Sequence, residues 1–209
     1  MSASAITSAT ERRARRRRRH EEVRDTLSTA ALELLDGRSF KDVTVDDVAR
    51  RAGLSRPAFY FYFRDKHDLL MALTADLADG LYREADRWWH GGAGEPRSLI
   101  REALRGAASV YARHAGVVRA ATEVATYDPE VRDFWRELVQ RFIDATAEHL
   151  RRERAAGRVG DLEPISTSEA LIWMTERYCY VYLATGERPV DELVESLTAV
   201  WMAALYGQR

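Results

Sequence analysis

Small, basic and hydroxyl-bearing side chains head a short aromatic stretch, SRPAFYFYF at residues 55–63, and together they suit contact with nucleic acid. On a helix, Phe59 and Phe63 share one face and enter a core, whereas Tyr60 and Tyr62 project elsewhere with hydroxyls that need polar partners. A short helix led by Ser55, Arg56 and Ala58 is what a helix-turn-helix places in the DNA major groove. An ordinary helical hairpin is the plainer reading of the same pattern. Elsewhere the reactive side chains do not assemble into a catalytic set. His20, His67, His90, His114 and His149 lack the paired spacing of a metal-binding helix, and no G-x-S-x-G, Walker or dinucleotide-binding glycine pattern occurs. Glu176 beside Arg177 reads as an ion pair rather than a catalytic acid, and Cys179 between two tyrosines as an inert core thiol. Neither a metal nor a cofactor is expected.

The element that must position the aromatic stretch begins at Thr44. Thr44 can cap a helix, Asp47 completes an acidic capping box, and Val43 and Val48 have the spacing of a hydrophobic staple. Val45, Val48, Ala49 and Ala52 recur at helical spacing until Gly53 supplies a left-handed stop, with Leu54 at the corner. A second helix opens around Ser55, Arg56 and Pro57, where proline is tolerated because the first turn has no internal partner for its missing N–H. Ahead of this unit, residues 20–35 carry Val23, Leu27, Ala30, Ala31, Leu34 and Leu35 as a helical stripe closed by Gly37. Seven arginines in the eight residues 12–19 repel one another, so residues 1–19 are expected to form a disordered arm that follows phosphates or enters a minor groove. A solvated tail without a partner is the alternative.

At 209 residues, 46% hydrophobic and 31% charged, the chain can bury a substantial core. Its formal net charge is −1, yet residues 1–67 hold 15 Arg or Lys against 10 Asp or Glu, while residues 68–209 hold 17 against 23. Only the first 67 residues suit a polyanion. One cysteine excludes an intramolecular disulfide. No apolar run approaches the roughly 18 to 20 residues of a membrane span, and residues 1–20 lack the apolar segment of a signal peptide; the unbroken arginine block, which is not amphipathic, outweighs a faint likeness to a transit peptide. A cytoplasmic protein is expected.

The periodic segments read as about nine helices, at 20–35, 44–52, 56–63, 66–88, 98–114, 117–127, 129–156, 166–183 and 190–206, an all-α fold. GGAGEP at 91–96 is a break, and Ser166 with Glu169 reads as a capping box. All five prolines fall at expected helix starts. ALIWMTERYCYVYL at 170–183 is apolar nearly all round, which calls for burial on two sides. One neighbour can be the chain's own interior and the other a second copy, since Val190, Leu193, Leu197, Val200 and Ala204 form another apolar edge.

The unit at 44–66 resembles the DNA-binding domain of TetR-family transcriptional regulators, and SRPAFYFYF, MTERYCYVYL and VWMAALYG look most like the EthR-type branch. The resemblance covers nearly the whole chain. It implies an N-terminal helix-turn-helix domain at 20–67 and a C-terminal helical ligand-binding and dimerisation domain at 68–209. It also implies a homodimer, most simply a repressor, on a near-palindromic double-stranded operator, released by an apolar or aromatic small molecule. Carried onto this sequence, Arg56, Ala58 and Tyr60 face the groove, Thr44 and Tyr62 contact phosphates, Lys66 adds a further phosphate contact, and Ser55 joins them at the helix start. The chemistry agrees: arginine grips guanine O6 and N7, alanine touches a thymine methyl, and hydroxyl and ammonium groups suit phosphate oxygens. Ala58 stands where the branch often has a hydroxyl. The ligand tunnel maps onto Ile100, Tyr111, Trp135, Phe142, Thr146, Ile172, Thr175, Glu176, Tyr180 and Trp201, with Ile172 and Thr175 in place of amide side chains. Periodicity alone would make these aromatics ordinary core. An all-helical enzyme on an apolar substrate and a DNA-binding regulator without a ligand are the other readings.

Overall fold

The computed structural model describes residues 3–90 and 94–207, with side chains from residue 13 onward. Among the described residues there are nine α-helices and no strand. The chain divides into two compact units, Met1–Leu70 and Met71–Arg209.

The first unit holds α1 (Ala3–Gly37), a 3-10 turn (Phe40–Asp42), α2 (Val45–Arg51), α3 (Arg56–Phe59) and the start of α4 (Lys66–His90). Of the stripe expected on α1, Leu27, Ala30, Ala31 and Leu35 are buried, as are Phe40, Val43, Val48, Phe59 and Phe63 in the same unit, while Val23 and Leu34 are half-buried. Within the expected disordered arm of residues 1–19, the described residues from 3 onward instead continue α1 toward its N-terminus. Arginine is a good helix former, the side chains of residues 13–20 all stand in water, and Arg17 pairs with Glu21 one turn on, at 2.9 Å.

Local sequence accounts for the turn that follows. Thr44 Oγ1 accepts from the Asp47 amide at 3.1 Å, and Asp47 Oδ2 accepts from the Thr44 amide at 3.1 Å, which completes the capping box. Gly53 has φ +69°, and the amides of Gly53 and Leu54 reach back to the carbonyls of Arg50 and Ala49 at 3.1 and 2.8 Å. This Schellman closure needs a left-handed residue at that position. The second helix is shorter than expected: α3 ends at Phe59, and the chain continues through Phe63 as overlapping turns in which Phe61 and Tyr62 donate to Ala58 and Phe59.

The second unit holds the rest of α4 with α5 (Pro96–Arg113), α6 (Ala115–Ala125), α7 (Pro129–Ala155), α8 (Pro164–Cys179), a π-helical turn (Tyr180–Ala184) and α9 (Val190–Tyr206). Its most extensive packing joins α5 to α9 and α7 to α8. Pro96, Pro129 and Pro164 open their helices at the first turn, as does Pro57 in α3, and Pro189 is the N-cap of α9. The capping box expected from Ser166 and Glu169 does not form. α8 starts earlier, at Pro164, and the Glu163 carboxylate caps it by accepting from the Ser166 amide at 2.7 Å. Part of the glycine-rich break, residues 91–93, lies outside the described residues. The apolar edge expected on α9 divides: Leu193 and Leu197 are buried, Val190 is half-buried, and Val200 and Ala204 are exposed.

Candidate functional site

In the first unit the structure gathers the candidate DNA contacts around α3. Ser55 caps it, its Oγ accepting from the Ala58 amide at 3.3 Å. Arg56 and Tyr60 both face solvent, and the guanidinium donates to the Asp46 carboxylate at 3.0 Å and to the Tyr60 hydroxyl at 3.4 Å. Tyr60 is 47% exposed, so core packing is not its role, whereas Phe59 and Phe63 are buried with ring centroids 5.6 Å apart. Ala58 is half-buried. Tyr62 is also half-buried, its ring 4.7 Å from that of His20 on α1.

Two of the expected phosphate contacts are held by the chain itself. The Thr44 hydroxyl donates to Asp47 Oδ2 at 2.8 Å, and this bond with that of the Thr44 amide holds the Asp47 carboxyl down at about 2. Lys66 Nζ donates to the carbonyls of Phe40 and Val43, each at 3.0 Å, and sits over the Phe40 ring. Sequence reasoning passed over Phe61, which is 82% exposed beside Tyr60, and Asp46, the partner of Arg56. The alternation FYFYF carried the first signal, since Phe61 falls two positions from both core phenylalanines and so points away from them.

The second unit contains a partly open cavity of about 110 Å³, several times what one water requires. α4, α5, α7 and α8 each contribute residues at helical spacing, for example Ile100, Leu104 and Tyr111 on α5 and Trp135, Phe142 and Thr146 on α7, and α9 adds Trp201. Nine of the ten residues mapped from sequence line it: Ile100, Tyr111, Trp135, Phe142, Thr146, Ile172, Thr175, Glu176 and Trp201. Tyr180 does not. It lies on the π-helical turn, whose wider winding breaks the α-helical register of α8, and its ring packs under the Arg177 guanidinium at 5.0 Å. The sequence reading also missed the α4 wall, where Leu77, Leu81, Ala85, Trp88 and Trp89 line the cavity. Their spacing was visible, but nothing local says which way that stripe faces.

The polar groups of this wall are few and mostly satisfied. Trp89 Nε1 donates to Thr146 Oγ1 at 3.2 Å, and Trp201 Nε1 donates to Thr175 Oγ1 at 3.0 Å. His149, buried with its ring 4.4 Å from Trp88, hydrogen-bonds the Trp89 carbonyl at 3.1 Å, and burial lowers its pKa. Arg152 donates to that same carbonyl at 3.2 Å, which ties down the end of α4. Burial raises Tyr111 well above its ordinary range and Glu176 above its own, and pushes the Cys179 thiol up to about 12, too high for a reactive thiolate. The arrangement can bind an apolar molecule, and it brings no nucleophile together with a base.

Residues 27–73 match the family described as bacterial regulatory proteins, tetR family, and residues 100–207 match the transcriptional regulator EthR, C-terminal domain. The chain is 32% identical to the HTH-type transcriptional regulator EthR of Mycolicibacterium smegmatis over 87% of its own length and 85% of that protein's. It is also 32% identical to the EthR of Mycobacterium tuberculosis, over 100% of this chain and 99% of the other. A crystal structure of a TetR-family regulator from Syntrophomonas wolfei superposes with a TM-score of 0.74 at 16% identity, covering 88% of this chain and 95% of that one, which bears on the fold alone. The chain belongs to the TetR family of bacterial transcriptional regulators. Within that family it is EthR-like, a DNA-binding regulator and not an enzyme. No helix among the described residues is long and apolar enough to cross a membrane.

Proposed function

We propose that the protein is a cytoplasmic, ligand-responsive repressor that binds a near-palindromic operator as a homodimer and is released by an apolar or aromatic small molecule. The observation that carries this reading is the aromatic-walled cavity of the second unit, in a chain whose first unit presents Arg56 and Tyr60 to solvent from a helix-turn-helix. Arg56, Ala58 and Tyr60 read the major groove, while Ser55, Thr44, Tyr62 and Lys66 set the unit against the backbone. The exposed arginines of α1 add a sequence-independent, salt-sensitive attraction. Apolar groups left in water on the last two long helices, Trp173 at 39% and Val200 at 46% exposure, supply the face for a second copy. Effector binding shifts a population: α4 begins at Lys66 and lines the cavity through Trp89, so a ligand that favours one position of α4 changes the spacing of the two recognition helices.

The test is binding of the purified protein to its own upstream DNA at several salt concentrations, with and without a panel of apolar aromatic compounds. Sequence-specific, salt-dependent binding that one compound releases is the expected result. Specific binding that no compound releases would leave a regulator without a small-molecule effector. Affinity no greater than for random DNA would overturn the operator assignment.

A further inference from the structure

Among the described residues that line the cavity, Glu176 is the one with a fully buried side-chain oxygen or nitrogen that lacks a hydrogen-bond partner. Glu176 is 5% exposed, lines the cavity, and is the only charged group among the lining residues. Its Oε2 has no hydrogen-bond partner. The Arg177 guanidinium stands 3.7 Å from that oxygen, close enough to offset its charge but too far to donate a hydrogen bond, and is itself largely in water. Meanwhile the indole N–H groups of Trp89 and Trp201 already donate to threonine hydroxyls. Those donors are matched, and a buried carboxylate oxygen is not. An unmade bond at such a group is costly, and a donor that enters with a ligand removes the cost.

We infer that the effector carries a basic nitrogen, an ammonium or amidinium on an apolar body, and that Glu176 is its acceptor. This deepens the reading of the cavity as an effector site and rests on it. Three further observations agree. Burial pushes Glu176 upward, and a cation opposite the carboxylate returns it to the ionised form. Tyr111 and Cys179, which also feel Glu176, are raised by burial and stay uncharged, so neither competes as a counter-ion. Trp88, Trp135 and Trp201 line the cavity, and an indole ring attracts a cation over a neutral group of equal size. An apolar molecule ending in a carboxylate meets the opposite situation, a like charge in a low dielectric.

Calorimetric titration of the full-length protein with three matched probes at neutral pH tests this: 4-phenylbutylamine, the neutral (4-methoxybutyl)benzene, and 4-phenylbutanoate. The expected order is amine, ether, carboxylate, with the amine tighter than the ether by about tenfold to a hundredfold, the value of one charge-assisted hydrogen bond. In Glu176→Gln the preference for the amine over the ether should collapse to within about twofold, while unchanged operator binding by the ligand-free variant reports an intact fold. Should the ether bind and the amine bind no tighter in the wild-type protein, the inference fails and the effector cavity stands. That comparison needs no variant. A preference that survives in Glu176→Gln would remove the assignment to this residue, and three probes that all fail to bind would overturn the inference together with the cavity reading.

Discussion

Two residues of the DNA-binding unit have roles that can be separated by measurement. Arg56 stands in solvent on α3, steadied by Asp46 and Tyr60 rather than buried, so removing it disturbs little of the fold. Arg56→Ala should weaken operator binding roughly tenfold to a hundredfold and relax specificity at one base pair, as read by titrating operators mutated one position at a time. The same loss on every sequence would mark a phosphate contact instead. Asp47 is a fold residue: its carboxyl, held at about 2 by the Thr44 hydroxyl and amide, ionises well below its ordinary 3.8. A depressed acid contributes stability that is present above 3.8 and lost as the pH falls toward 2. Urea melts between pH 5 and 3 should therefore show a shallower pH dependence for Asp47→Asn than for the wild type. Parallel curves would mean that the capping box does not persist in solution.

At the scale of elements, the cavity is a product of four long helices that each turn one stripe inward, with α9 adding Trp201 at one position. Trp135 of α7 is half-buried and carries no hydrogen bond needed by its neighbours' backbone, so it belongs to the cavity wall more than to the core. Trp135→Ala should weaken release by an effector about tenfold or more while the ligand-free protein binds operator as before, a separation readable by competition titration. An equal loss of both would give Trp135 a folding role. The π-helical turn after α8 belongs to this scale too. By changing the winding at Tyr180–Ala184 it ends the α8 stripe at Glu176 and turns Tyr180 to the Arg177 guanidinium.

For the whole molecule, charge and exposed apolar surface point to two different partners. The excess of basic residues within 1–67 and of acidic residues within 68–209 confines attraction for a polyanion to one end of the sequence. Trp173 of α8 and Val200 of α9 each leave apolar surface in water. Val200→Glu combined with Trp173→Glu places charge on that surface and should convert a dimer to monomer in sedimentation, with operator affinity falling together with the loss of the second half-site. Unchanged sedimentation and unchanged affinity would move the dimer interface elsewhere.

The sequence by itself determined most of the local structure, because the interactions responsible are local. Thr44 with Asp47, Gly53, the prolines at helix starts and the stripe of Leu27, Ala30, Ala31 and Leu35 each act within about one or two turns, so their consequences can be read without knowing what they pack against. The position of nine cavity residues was legible only through the resemblance, since periodicity cannot tell a wall from a core. What only the tertiary structure decided involves distant partners. Lys66 reaches carbonyls 26 and 23 residues away, which hold its ammonium against the 3-10 turn. α4 turns Trp88 and Trp89 into the cavity, where Trp89 finds Thr146, 57 positions on. Glu176 looks like half of an ion pair in the sequence; only the packing of α8 leaves one of its oxygens buried without a donor. Chain neighbours set the helices, and which groups end up satisfied depends on contacts that no local pattern encodes.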